Sequence, residues 1–203
     1  MNNILLLASN SKSRKNLLTK SGIPFLEIGH AADEDAVEKT LTLNEQVAAI
    51  ASLKMNHAQL PKGQEGQIIF VLTADTMGQD KAGVIHGKPK DYADAVAKIK
   101  ALSTLQEYTT ATGFCVTKQI YNNGAWQVVE TISDVVSATY QFSIPEQWVE
   151  KYIAQGSVLT CSGAIEIEGY GQQFLKTVNG SYSTIEGLPL FELRQALEVI
   201  GFF

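Results

Sequence analysis

Ile4-Leu5-Leu6-Leu7-Ala8 is an apolar run cut off at Ser9-Asn10-Ser11, and it constrains the fold more than any other stretch of the chain. A short run with polar punctuation behind it reads as a buried strand. The next segment reads as helical, with a start near Ser11, Leu17 and Leu18 turned inward, and a stop at Gly22 before Pro24. A buried strand feeding directly into a helix is the opening unit of an α/β chain.

The pattern recurs. Thr42-Leu43-Asn44-Glu45 has capping-box spacing and predicts a helix to about Gln59. Residues 68–73 predict a second buried strand, ending at Ala74-Asp75-Thr76. Asp91 is placed to cap a helix through Leu102. Two strand-like stretches, 109–118 and 126–140, flank Tyr121-Asn122-Asn123-Gly124, which has the chemistry of a hairpin turn. Ser143-Ile144-Pro145-Glu146 again has capping-box spacing and predicts a helix to about Gln155. Residues 190–200 read as a last helix, with Gly201 just past its end. The hairpin interrupts the alternation of strand and helix, so the sheet is expected to be mixed rather than purely parallel.

Composition narrows the function. The chain has 203 residues, enough for one domain or two lobes sharing a core, with 45% hydrophobic and 18% charged residues. A formal charge of −5 provides no general basic field, which argues against binding a nucleic acid polymer. Any anion must therefore meet a local cluster of donors. The longest apolar stretches, 4–8 and 68–72, are too short to cross a membrane, and Met1-Asn2-Asn3 lacks the charged start of a secretory leader. Cys115 and Cys161 have neither metal-ligand spacing nor the density of a disulfide framework, so a reducing, cytoplasmic setting is expected.

Several residues are candidates for chemistry. Ser9-Asn10-Ser11-Lys12-Ser13-Arg14 spans a strand-to-helix junction, where free N–H groups, hydroxyls and a cation make either a phosphate cradle or a serine-capped, solvated first turn. No Walker loop is present. Asp75 follows a buried strand, where it either holds a cation and takes a proton from water or merely closes a turn. Lys54 falls in the middle of the apolar stripe Leu43, Val47, Ile50, Ala51, Ala58, so it either snorkels to water or points into a polar cleft. In Gly87-Lys88-Pro89 the proline biases Lys88 toward an extended conformation, suited to a phosphate or to an exposed turn. Asp33-Glu34-Asp35 is an acidic loop with one member able to reach a metal. His30, His57 and His86 are scattered without metal-ligand spacing.

Taken in order, these segments resemble the Maf (septum-formation inhibitor-like) family over nearly the whole chain. The resemblance rests on Leu6 through Arg14, Ile23-Pro24-Phe25 with Asp33-Glu34, and the helix from Glu45 to Lys54. It continues through Ala74-Asp75-Thr76, Gly87-Lys88-Pro89, Leu102-Ser103, Gly163-Ala164, Glu168-Gly169 and Gly187-Leu188-Pro189-Leu190. It implies an elongated α/β fold akin to inosine-triphosphatase-like proteins, a mixed sheet flanked by helices in one domain with two lobes around a central cleft. It also implies hydrolysis of a nucleoside triphosphate to the monophosphate and pyrophosphate, assisted by a divalent metal such as magnesium or manganese, in a homodimer. By matching position, Asp75 is the general base, and Ser9, Arg14, Lys54 and Lys88 contact phosphate. Glu34 joins Asp75 in handling the metal.

Three departures from the family pattern leave the base open. Ser13 stands where members usually carry Arg or a bulky aromatic, so one substrate contact differs. Thr76 resembles members that act on dTTP and UTP, whereas Cys161 and Glu168 resemble those that act on 7-methyl-GTP. A nucleotidyltransferase would also open with strand, polar loop and basic helical turn, but Ser9-Asn10-Ser11 lacks the glycines such loops use. A nucleotide-binding regulatory protein of cell division with little or no catalysis is the alternative.

Overall fold

The computed structural model describes residues 3–103 and 106–203. Met1 and Asn2, on which the reading of the leader partly rests, lie outside the described residues. Among the described residues seven strands form one sheet: β1 (Leu5–Ala8), β2 (Phe25–Ile28), β3 (Ile68–Gln79), β4 (Ile85–His86), β5 (Glu107–Asn122), β6 (Ala125–Phe142) and β7 (Leu175–Asn179). Their order is β2-β1-β3-β5-β6-β7, with β4 beside β3. β1 runs parallel to β2 and β3, while β4 on β3 and β7 on β6 are antiparallel. The helices are α1 (Lys12–Lys20), α2 (Leu43–Asn56), α3 (Tyr92–Leu102), α4 (Val149–Gln155), α5 (Tyr182–Glu186) and α6 (Leu190–Val199). The expected α/β class with a mixed sheet holds.

Local chemistry explains most element ends. Ser11 caps α1 by accepting from the Arg14 N–H, and the chain leaves the helix at Gly22 with φ +69°. Thr42 and Glu45 close a reciprocal capping box on α2. Asp91 caps α3 through the Asp94 N–H at 2.8 Å. Between β5 and β6, Asn123 and Gly124 both have positive φ, as a two-residue hairpin turn demands.

Three expectations needed correction. α2 stops at Asn56 rather than near Gln59, because residues 57–59 bond instead to 29–31: the Ala31 N–H donates to His57 O and the Gln59 N–H to Gly29 O. Ser143 caps nothing; its N–H donates to Phe174 O, and a 3-10 turn at Glu146–Trp148 precedes α4. β3 continues to Gln79, so Asp75 lies inside a strand rather than past its end. It is nonetheless beyond the stretch paired with β1, which finishes at Leu72.

The chain divides into two compact units, the first made of Met1–Asp75, Thr112–Val136 and Gly187–Phe203 and the second of Thr76–Ala111 and Ser137–Glu186. In the first, alternate residues of β1 and β3 feed two apolar clusters. Leu5, Leu7, Phe70 and Leu72 pack with Leu17, Leu18 and α6, whereas Leu6, Ile69 and Val71 pack with Met55 and Trp126. Burial of both faces is why these strands read as continuous apolar runs. In the second unit, Ile99 and Leu102 of α3 pack against an aromatic group including Tyr108, Tyr140, Phe142, Tyr152 and Phe174.

α2 is fixed hard against the sheet of the first unit. Buried Thr73 donates from its hydroxyl to Ala51 O at 2.7 Å. One turn earlier the helix backbone comes so close to Gly113 that a Cβ there would meet Val47 O at 2.7 Å. Val47, Ala51 and Lys54 share that inward face, so the same packing that buries the two apolar residues buries Lys54.

Candidate active site

The first unit holds six of the sequence candidates, Ser9, Ser13, Arg14, Glu34, Lys54 and Asp75. The Lys54 Nζ lies 2.8 Å from Asp75 Oδ1 and 3.2 Å from Glu34 Oε1. The side chains of Lys54 and Asp75 keep only 6% and 12% of their exposure, while Glu34 keeps 44%. Of the two readings of Lys54, snorkelling to water is therefore excluded: the ammonium points into a buried polar cluster. Glu34 reaches it from a 3-10 turn, Glu34–Ala36, opened by Asp33, whose carboxylate accepts from the Asp35 N–H.

Arg14 is buried beside them. Its Nε donates to Gly187 O at 2.9 Å and its Nη1 to Ser9 Oγ at 3.1 Å, tying the β1–α1 turn to the segment before α6. Ser9 Oγ also accepts from the Ser11 N–H at 3.2 Å, which curls the turn around that hydroxyl. Burial pulls the Arg14 pKa down, while Asp75 and Glu34 pull it up; a guanidinium starts so high that it stays charged. Ser13, on the same helical turn, is half-buried.

His30 belongs to this neighbourhood, and sequence reasoning missed it. Burial above all, and then the charge on Lys54, lowers its pKa, with Glu34 opposing, so the imidazole is neutral at pH 7. Its Nδ1 is buried without a hydrogen-bond partner among the described residues. No local motif announces it, because a β-bridge to Ala58 places it there.

Thr76, Lys88 and Glu168 belong to the second unit. Thr76 follows Asp75 along β3, and its carbonyl accepts from Ser162 Oγ at 3.5 Å. Lys88 is exposed two residues beyond β4. The hairpin before it is held by Asp80, which takes His86 Nε2 at 2.8 Å and the Ala82 and Val84 N–H groups. Gly87 O accepts from the Gly163 N–H at 3.1 Å, so the Lys88 segment is tied to the loop after Cys161. Gly163 and Ala164 both adopt positive φ there. Burial, and secondarily Glu166, pushes the Cys161 thiol up to about 12, with Glu168 adding to the shift and Lys88 opposing it. A thiol so raised is no nucleophile. Glu168, half-buried, precedes the 3-10 stretch Gly169–Phe174 without capping it through its side chain.

Two buried cations facing two carboxylates, beside a helix start rich in hydroxyls, give this α/β protein a charged cluster of the kind that can meet an anion. No helix among the described residues is long and apolar enough to cross a membrane. The model of the Maf-like protein family matches residues 4–200, and the chain belongs to that family. It is 34% identical to a dTTP/UTP pyrophosphatase of Hydrogenovibrio crunogenus, across 98% of this chain and 97% of that one. A dTTP/UTP pyrophosphatase of Cupriavidus metallidurans is 32% identical, with 99% and 98% covered. A nucleoside triphosphate pyrophosphatase of Prochlorococcus marinus is 29% identical, with 96% and 98% covered.

Proposed function

We infer that this chain is a nucleoside triphosphate pyrophosphatase, a hydrolase that cleaves between the α- and β-phosphorus of its substrate. The observation that carries the reading is the buried cluster in which Lys54 and Arg14 face Asp75 and Glu34. Triphosphate oxygens need cations, and the attacking water needs a base. Asp75 takes a proton from water as its oxygen bonds to the α-phosphorus. The bond from the α-phosphorus to the bridging oxygen breaks, pyrophosphate leaves, and the nucleoside monophosphate remains. Ser9, Arg14 and Lys54 bind and orient phosphate oxygens, and Lys88 is assigned the same task by its matching position. Thr76, Cys161 and Glu168 are assigned to the base, and Ser13 to a substrate contact.

A divalent cation fits this cluster. Glu34 and Asp75 converge on one cationic head, so the Lys54 ammonium already stands in for such an ion. Among the described residues no group of three or more His, Cys, Asp or Glu side chains is arranged to hold a metal by itself. Two carboxylates with phosphate and water oxygens are the usual donor set of magnesium. Glu34 and Asp75 would hold the ion, which when bound neutralises phosphate charge and polarises the phosphorus under attack. A cytoplasmic setting and a homodimer belong to the same reading.

The test is turnover with magnesium and a panel holding dTTP, UTP and 7-methyl-GTP, without any acceptor. Equal release of pyrophosphate and nucleoside monophosphate is expected. Orthophosphate as the product would overturn the assignment. Nucleotide binding without turnover would favour the regulatory reading instead.

A further inference from the structure

We propose that Lys54 acts as an internal counter-ion occupying the place of the divalent cation, so that the metal binds tightly only together with a triphosphate. The inference rests on the pyrophosphatase reading and adds an order of events to it.

The geometry is direct. One ammonium sits within hydrogen-bonding distance of an oxygen of each carboxylate assigned to the metal, at 2.8 Å from Asp75 and 3.2 Å from Glu34. The position is not a loose surface encounter. α2 is pinned at its start by the Thr42–Glu45 box and at Ala51 by Thr73, so the base of the lysine stem cannot drift away. A second cation entering between the same oxygens would meet the ammonium at short range, with little water to screen the two on the Asp75 side.

Charge balance gives the same answer independently. Lys54 and Arg14 match Glu34 and Asp75, and His30 adds nothing because it is neutral. A lone divalent cation would leave this buried group with a double positive excess. A triphosphate brings negative charge, and the four-carbon lysine stem lets Nζ swing to its oxygens while Arg14 stays fixed by Gly187 and Ser9. Asp75 and Glu34 are then released for the metal, and Asp75 for the water. Lys54 is thus a positioning residue for the metal as well as a phosphate contact.

The experiment measures manganese binding to the full chain by electron paramagnetic resonance, alone and with a saturating α,β-methylene-dTTP, corrected for manganese held by the free analogue. In the unaltered protein the analogue is expected to raise manganese affinity by about tenfold or more. Lys54→Met, checked for folding by circular dichroism, is expected to bind manganese alone about tenfold more tightly than the unaltered protein. Adding Glu34→Gln to Lys54→Met is expected to remove that gain. The proposal is overturned if the unaltered protein binds manganese as well alone as with the analogue. It is equally overturned if Lys54→Met gains nothing, or if the gain survives Glu34→Gln. Should Lys54→Met fail to fold, the measurement on the unaltered protein decides by itself. Failure of the pyrophosphatase reading would show elsewhere, as absent pyrophosphate release across the nucleotide panel.

Discussion

Asp75→Asn separates what the buried pair does for stability from what it does for the reaction. The substitution removes a charge 2.8 Å from an ammonium that is itself almost wholly enclosed. The gross attraction between unit charges at that distance is about 6 kcal/mol at an effective dielectric of about 20. Breaking one side of a buried pair costs about 3–5 kcal/mol net, because the surviving charge loses its partner. Asparagine keeps an oxygen for Nζ to donate to, and Glu34 remains on the other side of Lys54. Both effects place the expected loss at the low end, about 3 kcal/mol by urea denaturation. Glu34→Gln, at a half-exposed carboxylate, should cost less than about 1 kcal/mol. In the folded Asp75→Asn protein kcat should fall about a hundredfold or more, since amide nitrogen and oxygen accept no proton from water at neutral pH. Near-normal kcat in that folded protein would refute the role as base. Equal stability losses for Asp75→Asn and Glu34→Gln would refute the argument from burial.

Three further outcomes are expected. Arg14→Ala and Lys88→Ala should each lower kcat/KM on the best substrate by an amount equivalent to about 1.5–3 kcal/mol, the worth of a charge-assisted hydrogen bond; unchanged kcat/KM in both would make them ordinary surface or structural charges. Glu168→Gln should lower kcat/KM for 7-methyl-GTP and raise it for UTP or dTTP, because a carboxylate accepts from the N–H groups of a cationic purine and repels the carbonyls of a pyrimidine; an unchanged ratio would mean that Glu168 does not read the base. Burial raises Cys161 from 9.0 and Tyr140 from 10.0, each to about 12. These groups ionise first in the unfolded chain, so their contribution is full below about pH 9 and is lost as pH rises through about 12. Melting curves should show Tm falling from pH 9 upward, less steeply in Cys161→Ala, and a flat Tm to pH 12 would contradict the assignment.

How far the chain alone could be read depends on the range of the interactions involved. α1, α2 and α3 begin where Ser11, Thr42 and Asp91 stand because a cap acts within one turn. The Asn123-Gly124 turn is equally local. Where distant chain intervenes, the reading stops short: the pairing of 29–31 with 57–59 ends α2 early, and Phe174 takes the Ser143 N–H from any cap. β2 and β7 are brief edge strands of mixed exposure, without the alternation or length that would single them out. The polar cluster was legible in part. Lys54 declared itself by interrupting an apolar stripe, Arg14 and Asp75 stood out by their places at strand ends, and family resemblance assigned their roles and picked Glu34 from its acidic loop. His30 did not, because nothing in its own neighbourhood of sequence says that a bridge to Ala58 carries it inward.

The closeness of Gly113 to α2 has a consequence for how this enzyme can change over generations. A side chain as small as a methyl at that position would press on the Val47 carbonyl and lift the helix that carries Lys54, two turns further along. Selection for turnover therefore falls on a residue that has no functional group at all. A library of random variants sorted for activity should keep glycine at 113 as stringently as it keeps the charged residues, while exposed neighbours on the same sheet drift freely.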